Sequence, residues 1–286
     1  MTARALSLAK VMTARRGGRL QKVAASDYKK FPAKFRAGLS TTTRDEEITS
    51  ALPGNLDELP RLRGFRLRGI EMTRLETFID AAFAFAVTVM VIAADRAPDN
   101  IAALLDAFKN VPAFVASVAV LGIFWRGHWL WSRRYGLEDG TSIFISWALL
   151  ATILVYIYPL RGIFGSMFYL LSDGRLGHPL GLRLESQGRA LFAIFAAGFT
   201  ALSAEILLLY LRAWRLRGPL RLNEREQSLT RAELSGWSLP LAVGMISLVL
   251  SLTLPMRHLN WCGWVYFSMA ILVPLHRALI RRRQPA

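Results

Sequence analysis

Six apolar blocks of about 20 residues each, separated by charge, decide what this chain can fold into. They run from Leu75 to Ala94, Phe108 to Trp131, Thr141 to Leu160, Ala190 to Leu211, Leu234 to Met256 and His258 to Leu279. At about 1.5 Å per helical residue, each is long enough to cross a hydrocarbon core of about 30 Å. Inside lipid the backbone must satisfy its own hydrogen bonds, so each block is expected to be a helix. The expected fold is all-α: a polytopic membrane protein with six transmembrane helices. A soluble domain would carry its apolar residues in stripes. Here they make up 53% of the chain, give a mean hydropathy of +0.32, and lie in runs. No internal repeat is evident.

The basic residues set the orientation. The chain holds 36 Lys and Arg against 20 acids, a formal net charge of +16. The cations cluster just outside the apolar blocks. Arg61, Arg63, Arg66, Arg68 and Arg74 precede the first block, and Arg133 and Arg134 follow the second. Arg212, Arg215, Arg217, Arg221, Arg225 and Arg231 separate the fourth from the fifth, and Arg281, Arg282 and Arg283 follow the sixth. The alternate loops are poorer: Arg96 and Lys109 in one, Arg257 alone in another, and four Arg spread along the long stretch from Arg161 to Arg189. Every basic-rich segment falls on one side if the N- and C-termini are both cytoplasmic. Charge so placed meets anionic lipids at the cytoplasmic face of the bilayer and argues against nucleic acid as a partner. Trp125, Trp129, Trp131, Trp214, Trp237, Trp261 and Trp264 lie near block ends, as an interfacial aromatic belt would. The single cysteine, Cys262, allows no intrachain disulfide and no Cys-built metal cluster. It reads as a small apolar helix residue.

Residues 1–70 are polar and basic, with Gly17, Gly18, Pro32, Pro53 and Pro60 and no long apolar run. The first 26 residues carry Arg and Lys but no acid, in the manner of an organellar transit peptide. The plainer reading, and the one adopted, is a disordered cytoplasmic segment. No apolar region follows the early basic residues, so no cleavable signal peptide is expected. The expected organisation is thus 1–70 as this segment, 71–280 as the six-helix membrane domain, and 281–286 as a basic tail.

Ionisable groups at membrane depth are costly and mark sites to examine first. Asp80 lies about one and a half turns into the first helix, and His128 about one turn from the cytoplasmic end of the second. Both sit roughly 6 Å from the same face, at matching depth. They are expected to pair, either as a structural latch or as part of an ion path. Arg74 falls six residues before Asp80 and reads as a positive-inside residue reaching the headgroups. Glu205, in the cytoplasmic half of the fourth helix, is a possible intramembrane acid, with Arg212 or another helix as its partner. Along the first helix, Ala81, Phe85, Thr88 and Ile92 recur at spacings of four, three and four and so form one stripe, with Val89 beside it. Such a stripe either packs against a neighbouring helix or lines a narrow path. Hydrophobic constrictions gate by dewetting, and hydroxyls replace part of an ion's water shell. No enzyme signature is present: there is no Walker loop, no H-E-x-x-H and no G-x-S-x-G. The four histidines, at 128, 178, 258 and 276, show no metal-binding spacing, and no metal or cofactor site is expected.

The segment Arg74-Leu75-Glu76-Thr77-Phe78-Ile79-Asp80 resembles the R-x-x-x-F-S-D signature of the transmembrane protein 175 family, the endolysosomal potassium channels and their bacterial homologues. The run Ala81 to Thr88 is similar to the A-V-F-A-I-A-I-T that follows it in the family. Gly122 to His128 is similar to the family's F-W-x-x-H on the second helix. The resemblance covers residues 70 to 165, and the rest by helix count. It implies a six-helix repeat whose first helix lines a cation pathway, with Arg74, Phe78, Asp80, Trp125 and His128 tying helix one to helix two. It puts the constriction at Phe85 and the family's threonine at Thr88. A single repeat is similar to the bacterial proteins, which assemble as homotetramers, so the chain's expected partner is itself and its expected place a bacterial inner membrane. The expected function is a potassium-permeable channel with a hydrophobic gate on helix one and K+ as the permeant ion. The alternatives are a non-conducting membrane scaffold of the same fold and a proton-coupled secondary transporter using Asp80, His128 and Glu205. Two departures stand out: Ile79 replaces the motif serine, and Phe85 replaces a smaller aliphatic residue.

Overall fold

The computed structural model describes residues 12–16, 19–23, 39–40, 48–49, 55–92, 98–179, 181 and 185–283. They divide into two compact units, 1–57 with 216–221, and 58–215 with 222–286. In the first, strand β1 (Met12–Arg16) pairs antiparallel with β2 (Arg19–Val23) and with β3 (Leu39–Ser40). The disorder expected over residues 1–70 falls largely on residues outside this description. Residues 58–70 belong to the second unit.

The second unit opens with a two-strand hairpin, β4 (Arg61–Leu62) against β5 (Phe65–Arg66). Arg63 and Gly64 turn it with positive φ of 53° and 83°. Helix α1 (Arg74–Ile92) follows. The Thr73 hydroxyl accepts the Glu76 N–H at its start, and Glu76 itself faces the positive end of the helix dipole. The short α2 (Ile101–Phe108) is capped by Asn100, whose side chain accepts from Ala103. Helix α3 (Val111–Tyr135) stops at Gly136, a left-handed C-cap. Helix α4 (Gly140–Leu171) starts on Asp139, and α5 (Glu185–Arg215) follows. Helix α6 (Glu224–Thr253) opens on a capping box between Asn223 and Glu226.

Among the described residues, five helical stretches are long and apolar enough to cross a membrane: 111–135, 140–171, 186–215, 224–253 and 256–280. The first apolar block forms α1, 19 residues long with Arg74, Glu76 and Asp80 in its first two turns, and it is not among the five. The last block is not one regular helix. It begins as a 3-10 turn at Met256–His258, passes through α7 (Trp261–Trp264) and a second 3-10 turn at Val265–Ser268, and ends as α8 (Met269–Arg283).

The most extensive packing is between α5 and α6, followed by α4 against α5. Small residues let these helices approach closely, as membrane helices require in the absence of a hydrophobic drive between them. A Cβ at Gly244 of α6 would lie 2.6 Å from Thr200 Oγ1 of α5, so glycine is required there. Helix α1 packs chiefly on α4 and α3.

Candidate functional site

Helix α1 has two contrasting faces. Glu76, Ile79, Phe83, Ala86 and Met90, spaced three and four apart, are buried against α3 and α4. Ile79, where the family motif has serine, is fully buried, so the lost hydroxyl is replaced by apolar packing. On the opposite face Ala81, Phe85 and Thr88 are exposed, Phe85 to 59%. The stripe read from spacing is therefore not a packing stripe within the chain. Val89 is half-buried at its edge, and Ile92 is the last residue of the helix. The Thr88 hydroxyl donates to the Ala84 carbonyl at 3.1 Å, which leaves its oxygen free to accept from, or coordinate, something on the exposed side.

Of the residues expected to tie α1 to α3, Asp80 and Trp125 meet and His128 does not take part. The Trp125 indole N–H donates to Asp80 Oδ1 at 2.9 Å. His128 does not pair with Asp80; its Nε2 meets Ser146 Oγ of α4 at 3.1 Å. The reason is angular. Trp125 and His128 are within one turn of each other, about 4.5 Å in height, but sit about 60° apart around α3, so the first faces α1 and the second faces α4. Phe78 packs not on α3 but on Trp147 of α4, with ring centroids 5.6 Å apart. Arg74 is exposed and makes no hydrogen bond or ion pair with a described residue, so it is not part of the tie.

Charges that the sequence did not single out anchor the start of α1. Glu76, 1% exposed, lies 3.1 Å from Arg133 Nε at the end of α3. Arg133 also donates to the Gly69 and Ile70 carbonyls at 3.1 and 3.0 Å. In the first turn of α6, the carboxylate of Glu226 is fully buried. It accepts from Arg66 Nε at 3.0 Å and Nη2 at 2.9 Å, from the Arg66 backbone at 2.9 Å, and from Arg68 at 3.2 and 2.9 Å. The Asn223 N–H adds a further bond at 3.1 Å. A buried charge is tolerated when it is paired and fully hydrogen-bonded, and here two guanidiniums and two backbone donors surround one carboxylate. The hairpin before α1 is thus fixed to the first turn of α6.

Glu205 takes a hydrogen bond from Thr152 of α4 at 2.8 Å and does not pair with Arg212. Arg212 instead pairs with Asp139 at the start of α4, at 3.0 Å. Burial works against the charge on Asp139, but hydrogen bonds from Ser142 and Arg212 outweigh it and hold this carboxyl below its usual range. Asp80, His128 and Glu205, the three groups a proton-coupled transporter would use, each have a separate partner: Trp125, Ser146 and Thr152. Among the described residues no group of three His, Cys, Asp or Glu is placed to hold a metal ion.

Residues 74–157, which span α1 through the first half of α4 and contain this tie, match the family model described as the endosomal/lysosomal potassium channel TMEM175. A protein of Marivirga tractuosa, described as a potassium channel, is 32% identical over 219 residues, or 71% of this chain and 85% of the relative. The chain belongs to the TMEM175 family. A crystal structure of the potassium channel MtTMEM175, a point variant in complex with a nanobody–MBP fusion, is similar over 79% of this chain and 99% of that one. Its TM-score is 0.67 at 27% identity. The TMEM175 match covers both faces of α1 but not the anchor, whose Glu226 lies outside the matched residues.

Proposed function

We propose that this TMEM175 family member is a potassium-permeable channel in which four copies of the chain place the exposed face of α1 around a central path. Phe85 forms the hydrophobic gate, Thr88 offers a hydroxyl one turn beyond it, and Val89 and Ile92 continue the wall. The observation that carries this reading is the exposure of Ala81, Phe85 and Thr88 on a helix whose other face is fully packed. A helix buried on one side only, with a large ring and a hydroxyl aligned on the other, has the form of a pore lining awaiting its symmetry mates. The potassium channel of Marivirga tractuosa, similar over most of both chains, favours potassium as the ion.

In this reading α1 is a sixth span beside the five longer ones. Both termini are then cytoplasmic, and the basic clusters lie against anionic lipid on that side. A bacterial inner membrane is the corresponding location. Residues 1–70 are then a basic cytoplasmic segment. No prosthetic group is needed.

Potassium flux into liposomes holding the purified protein, with no pH gradient, tests the proposal. Flux is expected from the wild type or, if the four rings close the path, from Phe85→Ala. Silence of both favours a scaffold without conduction, and flux only under a proton gradient favours a transporter.

A further inference from the structure

The basic residues gather at the ends read as cytoplasmic, and Arg257 stands apart from them. It follows α6 in the short link to the last span, at the opposite end of the helices. No acid occurs anywhere after Glu233, so no carboxylate nearby in sequence compensates it. Arg189, another cation at this end of the helices, is already used. Its two terminal nitrogens donate to the Ser251 and Leu254 carbonyls at 2.6 Å each and so close the end of α6. Arg257 makes one hydrogen bond among the described residues, from Nε to His258 Nε2 at 3.0 Å. Its two Nη groups have no partner among the described residues. The bond to His258 fixes that ring as the tautomer with a proton on Nδ1, which is then a further donor.

These side chains line an open cavity of about 450 Å³ with Asn260, Trp261 and Trp264. Trp261 is 62% and Trp264 51% exposed, and the Trp264 ring packs on Phe267 at 5.1 Å. A guanidinium with no acid partner among the described residues, lining one cavity with two exposed indoles, makes that cavity chemically two-sided. The cation, the imidazole N–H and the Asn260 amide suit a phosphate diester, while the indoles suit the glycerol and upper acyl carbons of a lipid. A free inorganic anion would use the first half alone.

We propose that this cavity is an outer-leaflet site for the phosphate of a phospholipid headgroup, held by Arg257 with His258 and Asn260 and walled by Trp261 and Trp264. It rests on the membrane orientation proposed above and is independent of conduction.

The test uses the full chain in maltoside detergent. Phosphatidylglycerol with brominated acyl chains quenches nearby indoles, and the part of the quenching lost in the Trp261→Phe, Trp264→Phe double variant reports this site. Wild type is expected to saturate, and Arg257→Gln to bind about tenfold more weakly, as loss of one charge-assisted contact implies. Arg257→Lys, which keeps the charge, is expected to recover most of the affinity. Brominated diacylglycerol, which lacks phosphate, is expected to quench far less, and inorganic phosphate to compete only weakly. Equal binding by Arg257→Gln, or by diacylglycerol, overturns the proposal. Competition by inorganic phosphate as strong as by lipid shows a free-anion site and overturns the lipid assignment. Orientation is read separately: Asn260→Cys in a Cys262→Ala background is expected to label from outside intact cells with an impermeant maleimide. Labelling only from the inside moves the site to the other leaflet and overturns the orientation, whatever the binding data show.

Discussion

Trp125 donates its indole N–H to Asp80 across the junction of α1 and α3, at 2.9 Å, and this bond takes the place that His128 was expected to fill. It is charge-assisted but partly open, so its loss is expected to cost about 1–2 kcal/mol. Asp80→Ala and Trp125→Phe are then expected to couple in a double-mutant cycle read by thermal unfolding in detergent. Asp80→Ala and His128→Ala are expected to add simply, because the two residues belong to different helix junctions. Strong coupling of the second pair with none in the first reverses this assignment.

The anchor upstream of α1 is expected to be less forgiving. Glu226→Gln removes the charge that two guanidiniums share and leaves them facing a neutral amide in a buried place. Breaking such a group from one side costs roughly 3–5 kcal/mol. A large fall in melting temperature or in folded yield is expected, whereas Arg282→Gln at an exposed position is expected to change neither. A Glu226→Gln protein as stable as wild type shows that the hairpin is not held by this carboxylate.

Asp139 gives the fold an acid-sensitive joint between α4 and α5. Its carboxyl is held below the ordinary value of 3.8, so the stabilisation is complete above about pH 4 and is lost as pH falls through the lowered folded value. Melting temperature measured from pH 6 down to pH 3 is expected to drop for wild type below about pH 4, by more than for Asp139→Asn. Parallel curves contradict the sign worked out here.

Glu205 lies in α5 with Thr152 as its partner and is apart from the exposed face of α1. Glu205→Gln keeps an acceptor for the Thr152 hydroxyl. Potassium flux through Glu205→Gln is expected to match wild type. Abolished flux with normal folding places this acid on the transport path and favours proton coupling.

Most of the helical fold was legible because apolar runs of membrane length leave the backbone few alternatives. Helix ends were less so. Helix α4 runs on to Leu171 through Arg161, and α6 begins at Glu224, ten residues before its apolar block, on a capping box of polar residues. Hydropathy does not register such extensions. The stripe on α1 was legible from its spacing, but spacing alone did not say whether it was packed or open. The partners of Asp80 and His128 were misread because matching depth fixes height along a helix and not direction around it. The anchor was out of reach for a different reason: Arg66 and Glu226 are 160 residues apart, and nothing local marks either as the other's partner. An S/T/D/N-x-x-E pattern at Asn223 and Glu226 was the one available signal, and it pointed to a helix cap only.

If the open face of α1 lines the ion path, its residues are reached by water-soluble reagents and those of the packed face are not. In a Cys262→Ala background, single cysteines at Phe85 and Thr88 on the open face, and at Phe83 and Met90 on the packed face, are reconstituted in liposomes and assayed for potassium flux before and after a water-soluble thiol reagent. Block at 85 and 88 with none at 83 and 90 is the predicted result. Flux that survives modification at 85 and 88, or block confined to 83 and 90, contradicts the account.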